Sequence, residues 1–165
     1  MPSKAQQRYL LASAVAGVAA AIRIIRRRNM HTPPKPLPSN FPVTPADVVD
    51  AANRVKPHVH RTQVLTCNGL DELAGRSLKF KCEVFQRTGS FKIRGATNAA
   101  LQAPENAPLV THSSGNHSQA LALAARSTGR EAHVVMPRTA PAVKRAAVEG
   151  YGAQITLCEP TNKAR

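Results

Sequence analysis

The sequence predicts an α/β protein, an open parallel sheet with helices flanking it. Three observations carry that prediction. Past Arg61, short apolar segments of strand type alternate with alanine-rich segments of helical type. Glycine and proline stand at the junctions, as at Gly129, Pro137 and Gly150. The length, 165 residues, suits one domain with a tail. Strand, crossover helix and strand in repeated units build a sheet whose strands run the same way.

The chain opens on a segment of a different kind. From Tyr9 to Ile22 it is small and apolar, and Arg23-Ile-Ile-Arg-Arg-Arg28 follows. That run is short of the roughly 20 residues that cross a bilayer comfortably. Including Ile24 and Ile25 lengthens it, with Arg23 snorkelling to the interface. Basic flanks without acids fit a mitochondrial address, cleaved or kept as a signal anchor. Residues 9–25 are therefore expected to tie the chain to a membrane, with a cytoplasmic placement as the alternative. His31 to Pro45 then carries prolines at 33, 34, 36, 38, 42 and 45, which no helix survives. Residues 1–40 thus read as leader and linker, and residues 41–165 as the folded part.

Thr44-Pro-Ala-Asp47 places an N-cap before a proline at the first helical position, so a helix runs from Ala46 to Val55 until Pro57. Leu78 to Phe85 alternates apolar and polar residues and predicts a strand. Ser90 to Leu101 predicts a helix, Leu109 to His112 a strand, and Asn116 to Ser127 an alanine-rich helix ended by Gly129. Ala132 to Met136 reads as a buried strand, Pro141 to Glu149 as a helix, and Gln154 to Cys158 as a last strand.

Charge excludes some functions. The net charge is +14, and residues 1–40 supply half of it through Lys4, Arg8, Arg23, Arg26, Arg27, Arg28 and Lys35, with no acid. Beyond them the signs are interspersed, as on an ordinary soluble body. The absence of tryptophan and of any recognised nucleic-acid motif argues against a nucleic-acid partner. Cys67, Cys82 and Cys158 are widely separated and lack CxxC spacing, so they read as reduced structural thiols. His58 and His60 flank Val59, but no third ligand stands near, so no metal site is assigned.

Two stretches carry chemistry. In Glu83-Val-Phe-Gln-Arg-Thr-Gly-Ser-Phe-Lys-Ile-Arg-Gly-Ala96, Gly89 and Ser90 are turn and N-cap residues, which sets Lys92 in the first turn of a helix. The positive end of the helix dipole there disfavours the ammonium form, and a neutral amine is a nucleophile toward an aldehyde. In Thr111-His-Ser-Ser-Gly-Asn-His117, a loop enters a helix at the carboxyl end of a strand. Ligands gather at such places in open α/β sheets, and free N–H groups at a helix start bind anions. Gly115 lets the backbone approach a ligand closely.

Together these stretches resemble the pyridoxal-phosphate attachment signature and the substrate-carboxylate loop of the serine/threonine dehydratase and serine racemase family, fold-type II enzymes. The resemblance runs from about Val43 to Pro160 and is strongest to the eukaryotic serine racemases. It implies that Lys92 anchors pyridoxal phosphate and acts as a base at the substrate α-carbon. It implies that Ser113, Ser114, Asn116 and His117 hold the substrate carboxylate, that Asn116 also bonds the cofactor ring hydroxyl, and that Phe91 packs on the ring. Ser114 matches the second acid/base of the racemases, where bacterial threonine dehydratases typically carry alanine. The implied substrate is a small amino acid, serine or threonine, and the implied partner a second copy or a full-length relative.

Departures accompany the likeness. Gln63 replaces the proline of the usual R-T-P segment, and Ser118 replaces a glycine or alanine. In the family a glycine-rich loop for the cofactor phosphate comes later, as do the partner of the pyridine nitrogen and the acidic metal ligands. After His117 this sequence offers only the isolated Gly129, Gly150 and Gly152. The expectation is therefore the smaller domain plus the first pieces of the larger one, weakly active or inactive alone. The rival reading is a membrane-tethered α/β module without cofactor that binds a full-length relative.

Overall fold

The computed structural model describes residues 42–161, 163 and 164. These fall into two compact units, one comprising residues 64–80 and the other residues 42–63 with 81–165.

In the larger unit, helix α1 (Pro45–Val55) begins on a reciprocal cap. The Thr44 hydroxyl accepts from the Asp47 N–H, and the Asp47 carboxylate accepts from the Thr44 N–H at 2.7 Å. That pairing satisfies donors the first turn leaves free.

The smaller unit holds strand β1 (Val64–Leu65), helix α2 (Asn68–Ala74) and the start of strand β2 (Phe80–Lys81), which pairs with β1. Gly75 ends α2 in the left-handed region, at φ 68°.

The strand expected over Leu78–Phe85 is realised only at Phe80–Lys81, and a 3₁₀ turn occupies Glu83–Phe85. Alternation misleads here because Glu83 is drawn out of the strand register by side-chain partners described below. Helix α3 (Lys92–Gln102) starts two residues later than expected. Ser90 is not its N-cap; Phe91 is, and no side chain caps it.

The remainder follows the expected alternation closely. Strand β3 (Leu109–His112), helix α4 (Asn116–Ser127), strand β4 (Ala132–Pro137), helix α5 (Ala142–Gly150) and strand β5 (Gln154–Cys158) succeed one another. The strands form one parallel sheet in the order β3-β4-β5, with Thr111 opposite Val134 and Val134 opposite Ile155. Consecutive strands are neighbours, each linked by a helix, as short crossovers require.

The core is built around α4. Ala120, Ala122, Ala124 and Ala125 are almost wholly buried, among Ile93 and Ala96 of α3, Val134 and Met136 of β4, and Val148 of α5. Side chains this small let the neighbouring elements come close. The helix is consequently covered on nearly every side, and its N-terminus, which follows the Ser113–Gly115 turn, is held rigidly.

The membrane-anchored or mitochondrial placement expected above is corrected. Among the described residues no helix is long and apolar enough to cross a membrane. The longest, α4, has 12 residues, against the roughly 20 that a bilayer requires. Residues 9–25, on which that expectation rested, lie outside the described residues.

Candidate functional site

The segment that presents Lys92 is built mainly from side-chain contacts. Gln86 is buried, and its amide clasps the backbone of His60 from both sides. The His60 N–H donates to Gln86 Oε1 and Gln86 Nε2 donates to the His60 carbonyl, each at 2.9 Å. The chain then turns at Gly89, whose N–H donates to the Gln86 carbonyl at 2.8 Å and whose φ is +66°. A side chain would be strained there.

Beyond the turn, α3 begins. Lys92 is exposed, with Nζ 5.2 Å from the centroid of the Phe91 ring. Phe91 itself is 61% exposed, so it offers an aromatic face rather than core packing. Beside them the Thr88 and Ser90 hydroxyls are buried and have no hydrogen-bond partner among the described residues. Buried hydroxyls with unspent capacity are uncommon and call for an explanation.

The second stretch is held mainly by backbone. Ser113 N–H donates to the Val135 carbonyl of β4 at 3.1 Å, which extends the sheet into the loop. Ser113 Oγ accepts from the Gly115 N–H at 3.2 Å, and Ser118 Oγ donates to the Gly115 carbonyl at 2.6 Å. Ser118, noted above as a departure, thus ties the loop to its own helix. Asn116 is exposed, and Ser113, Ser114 and His117 are half-buried. N–H groups of the first turn of α4 lack helical partners and carry the positive end of its dipole.

Electrostatics link the two stretches. Burial holds His117 below the ordinary histidine value, and the nearby positive charges of Lys92 and of His112 push it lower. His117 is therefore neutral near pH 7, and Lys92 lies close enough to be felt. Lys92 and the Asn116–His117 turn thus share one neighbourhood, formed where α3 packs against α4.

Three residues escaped the sequence reading. Lys144 of α5 brings its ammonium to 3.4 Å from where a Cβ on Gly115 would stand, placing a cation against the loop. Only its position at the start of a helix hinted at this. Glu83 and Arg94, inside the lysine stretch itself, form an ion pair with Nη2–Oε1 2.7 Å and Nε–Oε2 2.8 Å.

Comparison with known proteins agrees with this geometry. A family model described as pyridoxal-phosphate dependent enzyme matches residues 55–165. The serine racemase of Homo sapiens is 51% identical over 126 residues, which is 73% of this chain and 37% of that protein. The beta-hydroxyaspartate dehydratase of Paracoccus denitrificans (strain Pd 1222) is 48% identical over 122 residues, 72% of this chain and 39% of that one. Among solved structures, serine racemase from Dictyostelium discoideum matches with a TM-score of 0.72 at 47% identity, covering 76% of this chain and 42% of that one. The chain therefore spans less than half the length of these relatives. With the parallel sheet, the lysine at a helix start and the loop before α4 all in place, the chain belongs to the pyridoxal-phosphate-dependent enzyme family, in its fold-type II branch.

Proposed function

We propose that this chain serves a pyridoxal-phosphate-dependent serine racemase, with elimination of water and ammonia from serine or threonine as a side activity. The observation that carries the reading is that α3, which starts at Lys92, packs against α4, which the loop resembling a carboxylate binder enters at Asn116–His117. The residues present suit the cofactor: an exposed amine at a helix start, an exposed aromatic ring beside it, and two buried hydroxyls with hydrogen bonds to spare. When bound, pyridoxal phosphate supplies an electron sink for whichever bond breaks at the substrate α-carbon.

The residues of the chain then divide the work. Lys92 holds the cofactor and moves the α-proton on one face. Ser114, half-buried in the loop before α4, is the proton carrier on the other face. Ser113, Asn116 and the first-turn N–H groups of α4 bind the carboxylate. His117, neutral at working pH, is a hydrogen-bonding partner that adds no charge. Lys144 adds a cation against the loop, which favours an anionic substrate group.

The test is chemical. The purified chain is mixed with pyridoxal phosphate, reduced with borohydride and mapped by mass spectrometry, with Lys92→Ala as the control. Selective labelling of Lys92 is the expected result. Equal labelling of Lys56, Lys79, Lys81 and Lys144 would overturn the reading, since free pyridoxal phosphate reacts with surface lysines in general.

A further inference from the structure

We propose that the Glu83–Arg94 pair is a positioning device for Lys92, a staple that closes the segment between residues 83 and 94 and aims the lysine. The inference rests on the reading of Lys92 as the reactive amine.

The geometry argues for aim rather than for stability alone. Arg94 lies two residues beyond Lys92 in the first turn of α3. At 3.6 residues per turn, positions two apart project about 200° apart around the helix. Anchoring Arg94 on one side therefore sends Lys92 toward the other. Between them Ile93 is 1% exposed and locked into the core. Three consecutive side chains thus have three fixed directions: Ile93 inward, Arg94 to Glu83, and Lys92 to the remaining, exposed face.

The staple is itself fastened. Glu83 Oε1 also accepts from the Thr62 hydroxyl at 2.6 Å, and the Thr62 carbonyl accepts from Lys81 Nζ at 2.7 Å. Arg94 Nη2 reaches the His60 carbonyl at 3.2 Å, the carbonyl that Gln86 also binds. The hydrogen bonds that fasten the staple therefore converge on His60–Thr62, a segment outside the loop that carries the lysine. A forked guanidinium on a carboxylate fixes direction as well as distance, which a lysine at position 94 would not do. The interior of the staple holds the Gly89 turn and the unpartnered Thr88 and Ser90 hydroxyls. Gln86 fastens the near part of that loop to His60, Arg87 Nη1 reaches the His58 carbonyl at 3.0 Å, and Ile93 seats its far end in the core; the Glu83–Arg94 pair adds the link that joins the two ends to each other.

The experiment compares the wild-type chain with Glu83→Gln, Arg94→Lys and Thr62→Val. Two readouts report where Lys92 is, and circular dichroism confirms that each variant folds. The first is the rate of borohydride-trapped labelling at Lys92 by pyridoxal phosphate, divided by the rate at Lys79 in the same molecule. Displacing a reacting group by about 1 Å costs on the order of 100-fold. A fall of about tenfold or more in this ratio is expected for folded Glu83→Gln and Arg94→Lys, with a smaller fall for Thr62→Val. The second is the titration of His117 by NMR, which senses the Lys92 charge without any cofactor. Its midpoint is expected to rise in Glu83→Gln and Arg94→Lys as Lys92 swings away.

A general structural role would change all lysines together and would not move His117 alone. Should Glu83→Gln fail to fold, Thr62→Val, which loosens the carboxylate while keeping the ion pair, carries the test. Unchanged labelling ratio and unchanged His117 midpoint in the folded variants would overturn the proposal. If wild-type labelling is unselective while His117 still responds to the variants, the cofactor reading fails and the staple stands.

Discussion

The two stretches that meet at the candidate site are held by opposite means. The lysine segment is fixed by charged and polar side chains, Glu83, Arg94 and Gln86, reaching across the chain to His60–Thr62. The Ser113–His117 loop is fixed by the sheet before it and by the alanine-packed helix after it. One stretch is therefore sensitive to charge and pH, and the other to volume. The division suits their proposed tasks. A lysine that exchanges partners benefits from a tether that directs it without burying it, whereas an anion cradle built from N–H groups works only if those groups do not move.

The sharpest cut between binding and chemistry in the loop is Ser114→Ala. In protein that turns over serine, racemisation should fall by about 10²–10⁴-fold, the usual worth of a positioned acid/base, while elimination persists. Equal loss of both activities would make Ser114 a binding residue only. The comparison would then need a different second proton carrier.

Volume is the next lever. Ala120 is 0% exposed in α4, so Ala120→Leu must push α3 or the sheet aside. A loss of about 1–3 kcal/mol in urea unfolding is expected. By contrast Arg126→Ala, on the exposed end of the same helix, should change stability by less than about 0.5 kcal/mol. If the two substitutions cost the same, α4 is not the rigid support described here.

These contrasts also show what the sequence could reveal. Strands Leu109–His112 and Gln154–Cys158 and helix Asn116–Ser127 were legible to the residue. Their pattern is local, and tertiary packing reinforces it. The turn at Gly89 was legible as well, and resemblance named the candidate site residues of both stretches. The failures sit where long-range side-chain contacts outweigh local pattern. Leu78–Phe85 alternates like a strand, yet Arg94 and Thr62 capture Glu83 and fold the end of it into a 3₁₀ turn. Ser90 has the chemistry of an N-cap, yet the Gly89 turn buries its hydroxyl short of the helix. Lys144 meets Gly115 only because α5 packs beside α4, which no spacing in the chain announces.

The charge-held half can be stressed by acid. The hydrogen bond from Arg94 chiefly holds the Glu83 carboxyl down to about 2, with help from Thr62 and Lys81 and against the effect of burial. A carboxyl depressed in the folded state stabilises that state fully above its unfolded value and loses the contribution as pH falls toward the folded one. The melting temperature should therefore drop between about pH 4.5 and pH 2. Glu83→Gln should melt lower at pH 7 and show a shallower drop over that range. An identical acid slope in both proteins would mean that other carboxylates, such as Asp47, govern acid unfolding.

The smallest effect tests the meeting of the two halves directly. His117 should titrate below its ordinary value of 6.5, because burial and the charges of Lys92 and His112 all oppose its protonation. Lys92→Met removes one of those charges and leaves the burial, so the midpoint should rise partway and remain below 6.5. The change is readable from the imidazole carbon-bound protons by NMR. His112→Gln should raise the midpoint less than Lys92→Met, following the order of the two charges. A midpoint indifferent to Lys92 would separate the two stretches in space. The sheet-held loop would then remain an anion cradle in its own right, and the lysine would need another partner.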